Sequence, residues 1–136
     1  MGTLKKSILC LILLLFCVNV AYTQNYKKFK RAGISCEWVE KDEYTMASDN
    51  EFNRKTICYG YSDDRHYKIV VYYHYGHFYN ELWGVIDGCY SINIYSTKID
   101  SRYPIEKTDF KYASFQTNDV IDYCEKYGIK SLSFYN

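Results

Sequence analysis

The chain has 136 residues, enough for one domain with a modest hydrophobic core. Its 17 lysines and arginines nearly balance its 16 aspartates and glutamates, so no excess of positive charge points to nucleic acid or to an anionic membrane surface. Tyrosine is the compositional signature, with 17 residues against a single proline.

The first 23 residues have the three-part layout of a secretory signal peptide. Two lysines precede an apolar run over residues 8–20, and small residues follow at Ala21 and Thr23. The run is about 13 residues long, shorter than the roughly 20 that a membrane-spanning helix needs. We therefore expect residues 1–23 to be a signal peptide and residues 24–136 to form a single secreted, extracellular domain without a membrane span.

Four cysteines remain in the expected mature domain: Cys36, Cys58, Cys89 and Cys124. An even number in a short exported chain predicts two disulfides, for which three connectivities are possible. The separations of 22, 31 and 35 residues are too wide for zinc-binding or redox Cys-x-x-Cys pairs, so we expect no metal or cofactor at these thiols.

Alternation of apolar and polar residues predicts a mainly β domain, since aromatic and β-branched residues favour strands. The clearest case is residues 66–75, where one face is apolar and aromatic and the other is mixed. Residues 40–54 and 98–109 are predicted to be connecting loops. The predicted strands are residues 34–39, 55–61, 66–75, 81–86, 89–97 and 130–135.

One helix is predicted near the C-terminus, over residues 118–127. Thr117 or Asn118 can cap its start, and Val120 and Cys124 share its apolar stripe. Gly128 is placed to end the helix in a left-handed conformation. The predicted fold is therefore mainly β, of the α+β type: an antiparallel sheet or small barrel with one C-terminal helix and two disulfides.

Aromatic residues are densest at residues 72–83, over a predicted strand, turn and strand. Tyrosine is over-used at binding surfaces because its ring offers a large contact area at low entropic cost and its hydroxyl a directed hydrogen bond. The alternative is that these rings only pack the faces of the sheet and the core. The candidate binding residues are Tyr72, Tyr73, Tyr75, Phe78, Tyr79 and Trp83.

Three histidines, His66, His74 and His77, lie close together in the sequence. Such a group can hold a metal, or with Lys68 it can cleave a phosphodiester by general acid–base catalysis. No known catalytic motif or ligand spacing accompanies them. We expect no catalytic residue and no bound metal, and a small secreted hydrolase that uses these histidines is an alternative function.

The combination of a signal peptide, four cysteines, a tyrosine-rich body and no catalytic motif resembles the small secreted effector proteins of arthropod saliva and venom. The last third is similar to the end of a salivary lipocalin, in which a strand with a cysteine is followed by a loop, a short helix and a tail. That resemblance implies bridges between Cys36 and Cys89 and between Cys58 and Cys124, and it implies a small-ligand carrier as another alternative.

The function that we expect is a secreted, non-enzymatic binding protein, an effector or toxin of the saliva or venom type. Its target would be an extracellular protein or small molecule, bound through an aromatic-rich surface, and nucleic acid is not expected as a partner.

Overall fold

The structure, a computed structural model, describes residues 25–80, 84–99, 102–110 and 115–136, and within these ranges the side chains of residues 76–80, 84–87 and 110 lie outside the description. The described chain is mainly β, as predicted, with six strands and three helices. In chain order the elements are α1 (residues 25–31), β1 (Ser35–Val39), α2 (Glu43–Glu51), β2 (Arg54–Tyr61), β3 (Tyr67–Asn80), β4 (Gly84–Ser96), β5 (Glu106–Phe110), α3 (Thr117–Tyr127) and β6 (Ser131–Tyr135).

The six strands form one mixed sheet in the order β1-β6-β2-β3-β4-β5. Strands β1 and β6 run parallel, and every other described pair is antiparallel. The parallel pair arises because β6, the last strand in the chain, enters the sheet between β1 and β2. The predicted antiparallel sheet is therefore mixed because of this one pair, and the described strands form an open sheet with edges at β1 and β5 rather than a small barrel.

One face of the sheet, the core face, packs against helices α1 and α3. Helix α3 directs Val120 and Cys124 into this layer, as its apolar stripe predicts, and both are fully buried. Gly128 ends the helix in a left-handed conformation with a φ of 68°, which confirms its predicted role. The buried residues of the core are Phe29, Ile34, Cys58, Ile69, Val71, Ile92, Ile94, Val120, Cys124, Ile129 and Leu132.

Two stretches predicted to be loops contain regular structure. Helix α2 has no apolar stripe that the sequence would reveal; it begins because the Asp42 side chain accepts the backbone N–H of Thr45 at 2.6 Å. Strand β5 is rich in charge and follows Pro104, but it pairs with β4 at an edge of the sheet, where charged side chains reach water. The predicted cap of α3 is also wrong, because Thr117 is its first helical residue and Gln116 precedes it.

The predicted disulfides are absent, and all four cysteines are free thiols. Cys36, Cys58 and Cys124 lie on the core face; after burial, Cys124 and Cys36 raise the pKa of Cys58, and Cys36 raises that of Cys124. Burial is the main cause of the raised pKa values, which reach about 11 for Cys36 and about 12 for Cys124. The thiols of Cys36 and Cys124 are therefore protonated at neutral pH.

Cys89 lies on the opposite side of the sheet from the other three thiols. It immediately precedes Tyr90, whose ring packs on the core face against Phe115, and successive residues of a strand point to opposite faces. A bridge between Cys36 and Cys89, which the lipocalin resemblance implies, would have to cross the sheet. Cys58 and Cys124 are on the same side.

None of the helices in the described ranges is both long and apolar enough to cross a bilayer.

Candidate functional site

The structure does not join the described members of the predicted aromatic patch into one surface. Tyr72 and Tyr73 are consecutive in β3, so their rings point to opposite faces. Tyr73 packs against Tyr90 on the core face, with ring centroids 5.0 Å apart, whereas Tyr72 is only 8% exposed on the other face. Tyr75 is 40% exposed. The remaining predicted residues, whose side chains fall outside the described part, are Phe78, Tyr79 and Trp83.

The histidines that are described are well separated. His66 lies in the turn before β3, with Nδ1 3.2 Å from Oδ2 of Asp64, and His74 places Nε2 2.9 Å from Oγ of Ser91. Eight residues of extended chain separate the two, roughly 26 Å. The side chain of His77 falls outside the described part. No group of three or more metal-ligating side chains occurs among the described residues.

The face of the sheet opposite the core face, the tyrosine face, carries the most distinctive cavity. A groove of about 250 Å³ runs between helix α2 and strands β2, β3 and β6. We call it the tyrosine groove, and its lining residues are Asp42, Tyr44, Thr45, Ser48, Arg54, Thr56, Tyr59, Tyr61, Lys68, Val70, Tyr72 and Tyr135.

Strand register brings the tyrosines of the floor together. Tyr59 and Tyr61 alternate on β2, so both point to the tyrosine face. Tyr135 comes from the neighbouring β6, and its ring centroid lies 5.5 Å from that of Tyr59. Tyr72 joins from β3, where it pairs with Thr56. Four rings from three strands therefore form one aromatic floor.

Helix α2 is held as the wall of the groove by one buried carboxylate. Oδ2 of Asp49 accepts hydrogen bonds from Lys41 Nζ at 2.8 Å and from the backbone N–H of Thr56 at 3.0 Å, and Oδ1 accepts from Thr56 Oγ1 at 2.6 Å. Burial alone would raise the pKa of Asp49, but these bonds and the Lys41 charge hold it below its ordinary value. The carboxylate is thus charged at neutral pH and joins α2 to β2.

Two cations lie against the aromatic rings of the groove. The Arg54 guanidinium is centred 4.0 Å from the Tyr72 ring centroid, and its Nη2 donates to Ser48 Oγ at 2.8 Å. Lys68 Nζ lies 5.2 Å from the Tyr61 centroid and 5.5 Å from that of Tyr59. Neither cation forms an ion pair with any carboxylate of the described chain.

The groove offers directed hydrogen bonds as well as flat apolar surface. Burial and a hydrogen bond with Tyr95 raise the pKa of Tyr72 above its usual range, and burial raises the pKa of Tyr135. Both hydroxyls are therefore neutral at physiological pH. Aromatic faces, neutral hydroxyls and unpaired cations together suit the binding of a ligand that is partly flat and partly polar.

A second cavity, the apolar cleft, opens on the core face beside helix α1. Its volume is about 200 Å³, and the half-buried thiol of Cys36 is one of its few polar groups. Its lining residues are Asn25, Tyr26, Phe29, Cys36, Trp38, Ile57, Tyr90, Phe115 and Phe134.

Sequence reasoning identified Tyr72 but missed most of the groove. The alternation of Tyr59 and Tyr61 in a predicted strand was a usable signal, because it places both rings on one face. Nothing local to the sequence reveals that Tyr135 lies beside them, since that contact depends on β6 entering the sheet next to β2.

No protein-family model matches this chain, and no curated protein or solved structure matches it either.

Proposed function

We propose that this chain is a secreted, non-enzymatic binding protein and that the tyrosine groove receives a segment of an extracellular partner protein. The observation that carries the proposal is the convergence of four tyrosine rings from three strands, with a fifth tyrosine from α2, on a single groove. Tyrosine dominates many binding surfaces because it has few rotatable bonds and both apolar and polar character.

The rigidity of the groove supports the same function. Its floor consists of strands within the sheet, and its wall is joined to β2 by the Asp49 carboxylate, so neither side has to be ordered when a ligand binds. When a ligand binds to a preformed site, less of the binding free energy is lost to ordering the protein than when it binds to a flexible one. Tyr44 is 83% exposed on the helical wall and is, among the tyrosines that line the groove, the one most accessible to a large partner.

Export is the second part of the proposal. The lysines, apolar run and small residues within residues 1–23 support removal of a signal peptide, and the type of protein that this layout resembles supports an effector of saliva or venom. An extracellular binding protein of that kind acts by occupying its target.

Selection from a phage-displayed library of random dodecapeptides tests the groove directly. We expect the mature protein to enrich peptides whose affinity falls at least tenfold with the double variant Tyr59→Ala, Tyr61→Ala, because central tyrosines of an interface are frequent hot spots. Tyr103→Ala is the matched control, since this tyrosine is 81% exposed and lies outside the groove. Peptides that bind the double variant as tightly as the original protein would refute the proposal.

The apolar cleft supports one further candidate, a carrier of a small apolar ligand. Its volume of about 200 Å³ suits a molecule smaller than a typical drug, and most of its lining is aromatic or aliphatic. Native mass spectrometry of the protein from its own source tests this candidate. Extra mass that is lost on denaturation would support a carrier, and the bare mass of the polypeptide would count against it.

A further inference from the structure

We infer that the segment bound in the tyrosine groove is an extended acidic peptide, with one carboxylate at Arg54, a second at Lys68 and an apolar side chain on the tyrosine floor between them. This inference rests on the proposed function and adds the chemistry of the partner to it.

Arg54 is the stronger of the two acid-binding positions. Its guanidinium is held flat by Tyr72 at 4.0 Å and by Phe52 at 4.9 Å, so its donors are oriented before any ligand arrives. Among the described residues its one hydrogen bond is from Nη2 to Ser48 Oγ, and Nε is buried, so the donors that remain for a ligand are on Nη1 and Nη2. A half-buried arginine with unused donors and no carboxylate partner matches a bidentate carboxylate from outside.

Lys68 provides a second positive charge on the same face. Its side chain is half-buried, and its ammonium group lies over two tyrosine rings without a carboxylate partner in the described chain. Asp42 is the only acid among the groove residues, and it already accepts the backbone N–H of Thr45 at the start of α2. The hydrogen bond from Thr45 and, more weakly, the charge of Lys68 lower the pKa of Asp42. The groove therefore has two cations, neither of them in an ion pair within the described chain, against one carboxylate, and it keeps an excess of positive charge.

The separation of the two cations sets the spacing of the acids. Arg54 lies over Tyr72 and Lys68 lies over Tyr59, and these tyrosines are diagonal neighbours in the β2–β3 ladder, about 7–8 Å apart. Arg54 therefore marks the position of Tyr72, and Lys68 lies four residues from Tyr72 on the same strand, so the strand positions of the two cations are about 13 Å apart. Residues i and i+4 of an extended chain are about 13 Å apart and point to the same side. The pattern that fits is acid-x-apolar-x-acid.

A peptide fits this charge pattern better than a sulfated glycan does. Polyanionic chains carry closely spaced charges and are bound by clusters of lysine and arginine, whereas this groove presents two separated cations with tyrosine rings between them. The expected mature domain also has no positive excess, since losing residues 1–23 leaves 15 basic against 16 acidic side chains.

The dodecapeptide selection also tests this inference when the enriched sequences and two charge variants are compared. We expect acidic residues four apart to be enriched, and we expect the affinity of those peptides to fall about tenfold or more with Arg54→Gln and with Lys68→Gln. Lys55→Gln is the matched control, because Lys55 lies on the same strand as Arg54 but points to the other face. Circular dichroism of each variant shows whether it is folded.

The outcomes separate this inference from the proposed function. Enriched peptides that need Tyr59 and Tyr61 but lack acids and tolerate both charge variants would overturn the acidic ligand while leaving the binding function intact. Peptides that do not need those tyrosines would overturn both. If no acidic peptide is enriched and a heparin octasaccharide binds the original protein but not Lys68→Gln, the acidic peptide is overturned and the ligand of the groove is a glycan.

Discussion

Replacing Asp49 by asparagine tests how the groove wall is held. The side chain of Asp49 is 7% exposed and that of Lys41 is 16% exposed, so their ion pair is shielded from water. Asparagine has nearly the same shape and keeps one oxygen for Thr56, but it loses the charge and one acceptor. Losing one charge-assisted hydrogen bond and leaving Lys41 partly buried without its partner costs about 2–3 kcal/mol.

The free energy of unfolding from urea titrations, followed by tryptophan fluorescence at pH 7, measures this cost. A loss of 2–3 kcal/mol is a large share of the 5–15 kcal/mol that a domain of this kind has in total. Asp63→Asn is the control, because Asp63 is 72% exposed 3.5 Å from Lys130, and its change should stay within about 0.5 kcal/mol. A loss for Asp49→Asn no larger than that of the control would refute the anchoring role of the carboxylate.

The pH dependence of the same variant gives an independent check. The folded-state pKa of Asp49 lies below its ordinary value of 3.8, so its stabilising contribution is fully present above that value and is lost as the pH falls through the folded-state pKa. The difference in stability between the original protein and Asp49→Asn should therefore be constant from neutral pH down to about pH 5 and shrink at lower pH. A difference that does not depend on pH would contradict the charge as its cause.

Two further predictions concern packing and cysteine chemistry. A Cβ atom at Gly60 would lie 2.4 Å from the carbonyl oxygen of Ser131, so Gly60→Ala should push β2 away from β6. We expect the free energy of unfolding to fall by about 2–4 kcal/mol, and an unchanged value in urea titrations would contradict this close packing of the two strands. In the protein purified from its own source, mass spectrometry of peptides digested without reduction should find Cys89 as a free thiol, because the other cysteines lie across the sheet; an intramolecular cross-linked peptide that contains Cys89 would refute that placement.

Most strands were predictable because their pattern is local. Alternation identifies β1 and β2 to within one residue of their bounds and identifies the start of β3, which continues to Asn80 through the turn predicted after residue 75. The stripe of Val120 and Cys124 with Gly128 identifies α3. Helix α2 was missed because two aspartates, Asp42 and Asp49, stabilise it, and a segment of such polar composition is typical of a loop. Strand β5 was missed for a similar reason, since an edge strand can be charged.

The cysteines show how counting can mislead when the face of the sheet is ignored. The even number of cysteines predicted two disulfides. The alternation that places Tyr90, Ile92 and Ile94 on the core face, however, places Cys89 on the tyrosine face. That placement was available from the sequence. The parallel entry of β6 was not, because the order of strands depends on contacts between distant parts of the chain.

The most direct test of the tyrosine groove as the binding site is an NMR titration of ¹⁵N-labelled residues 24–136 with the tightest peptide from the dodecapeptide selection. If the tyrosine groove is the binding site, the largest amide shift changes will cluster at Arg54, Tyr59 and Tyr61 of β2, at Lys68 of β3 and in the first turn of α2. Changes centred instead on the apolar cleft, at Phe29 and Tyr90, or spread without any cluster on the tyrosine face, would contradict binding in the tyrosine groove.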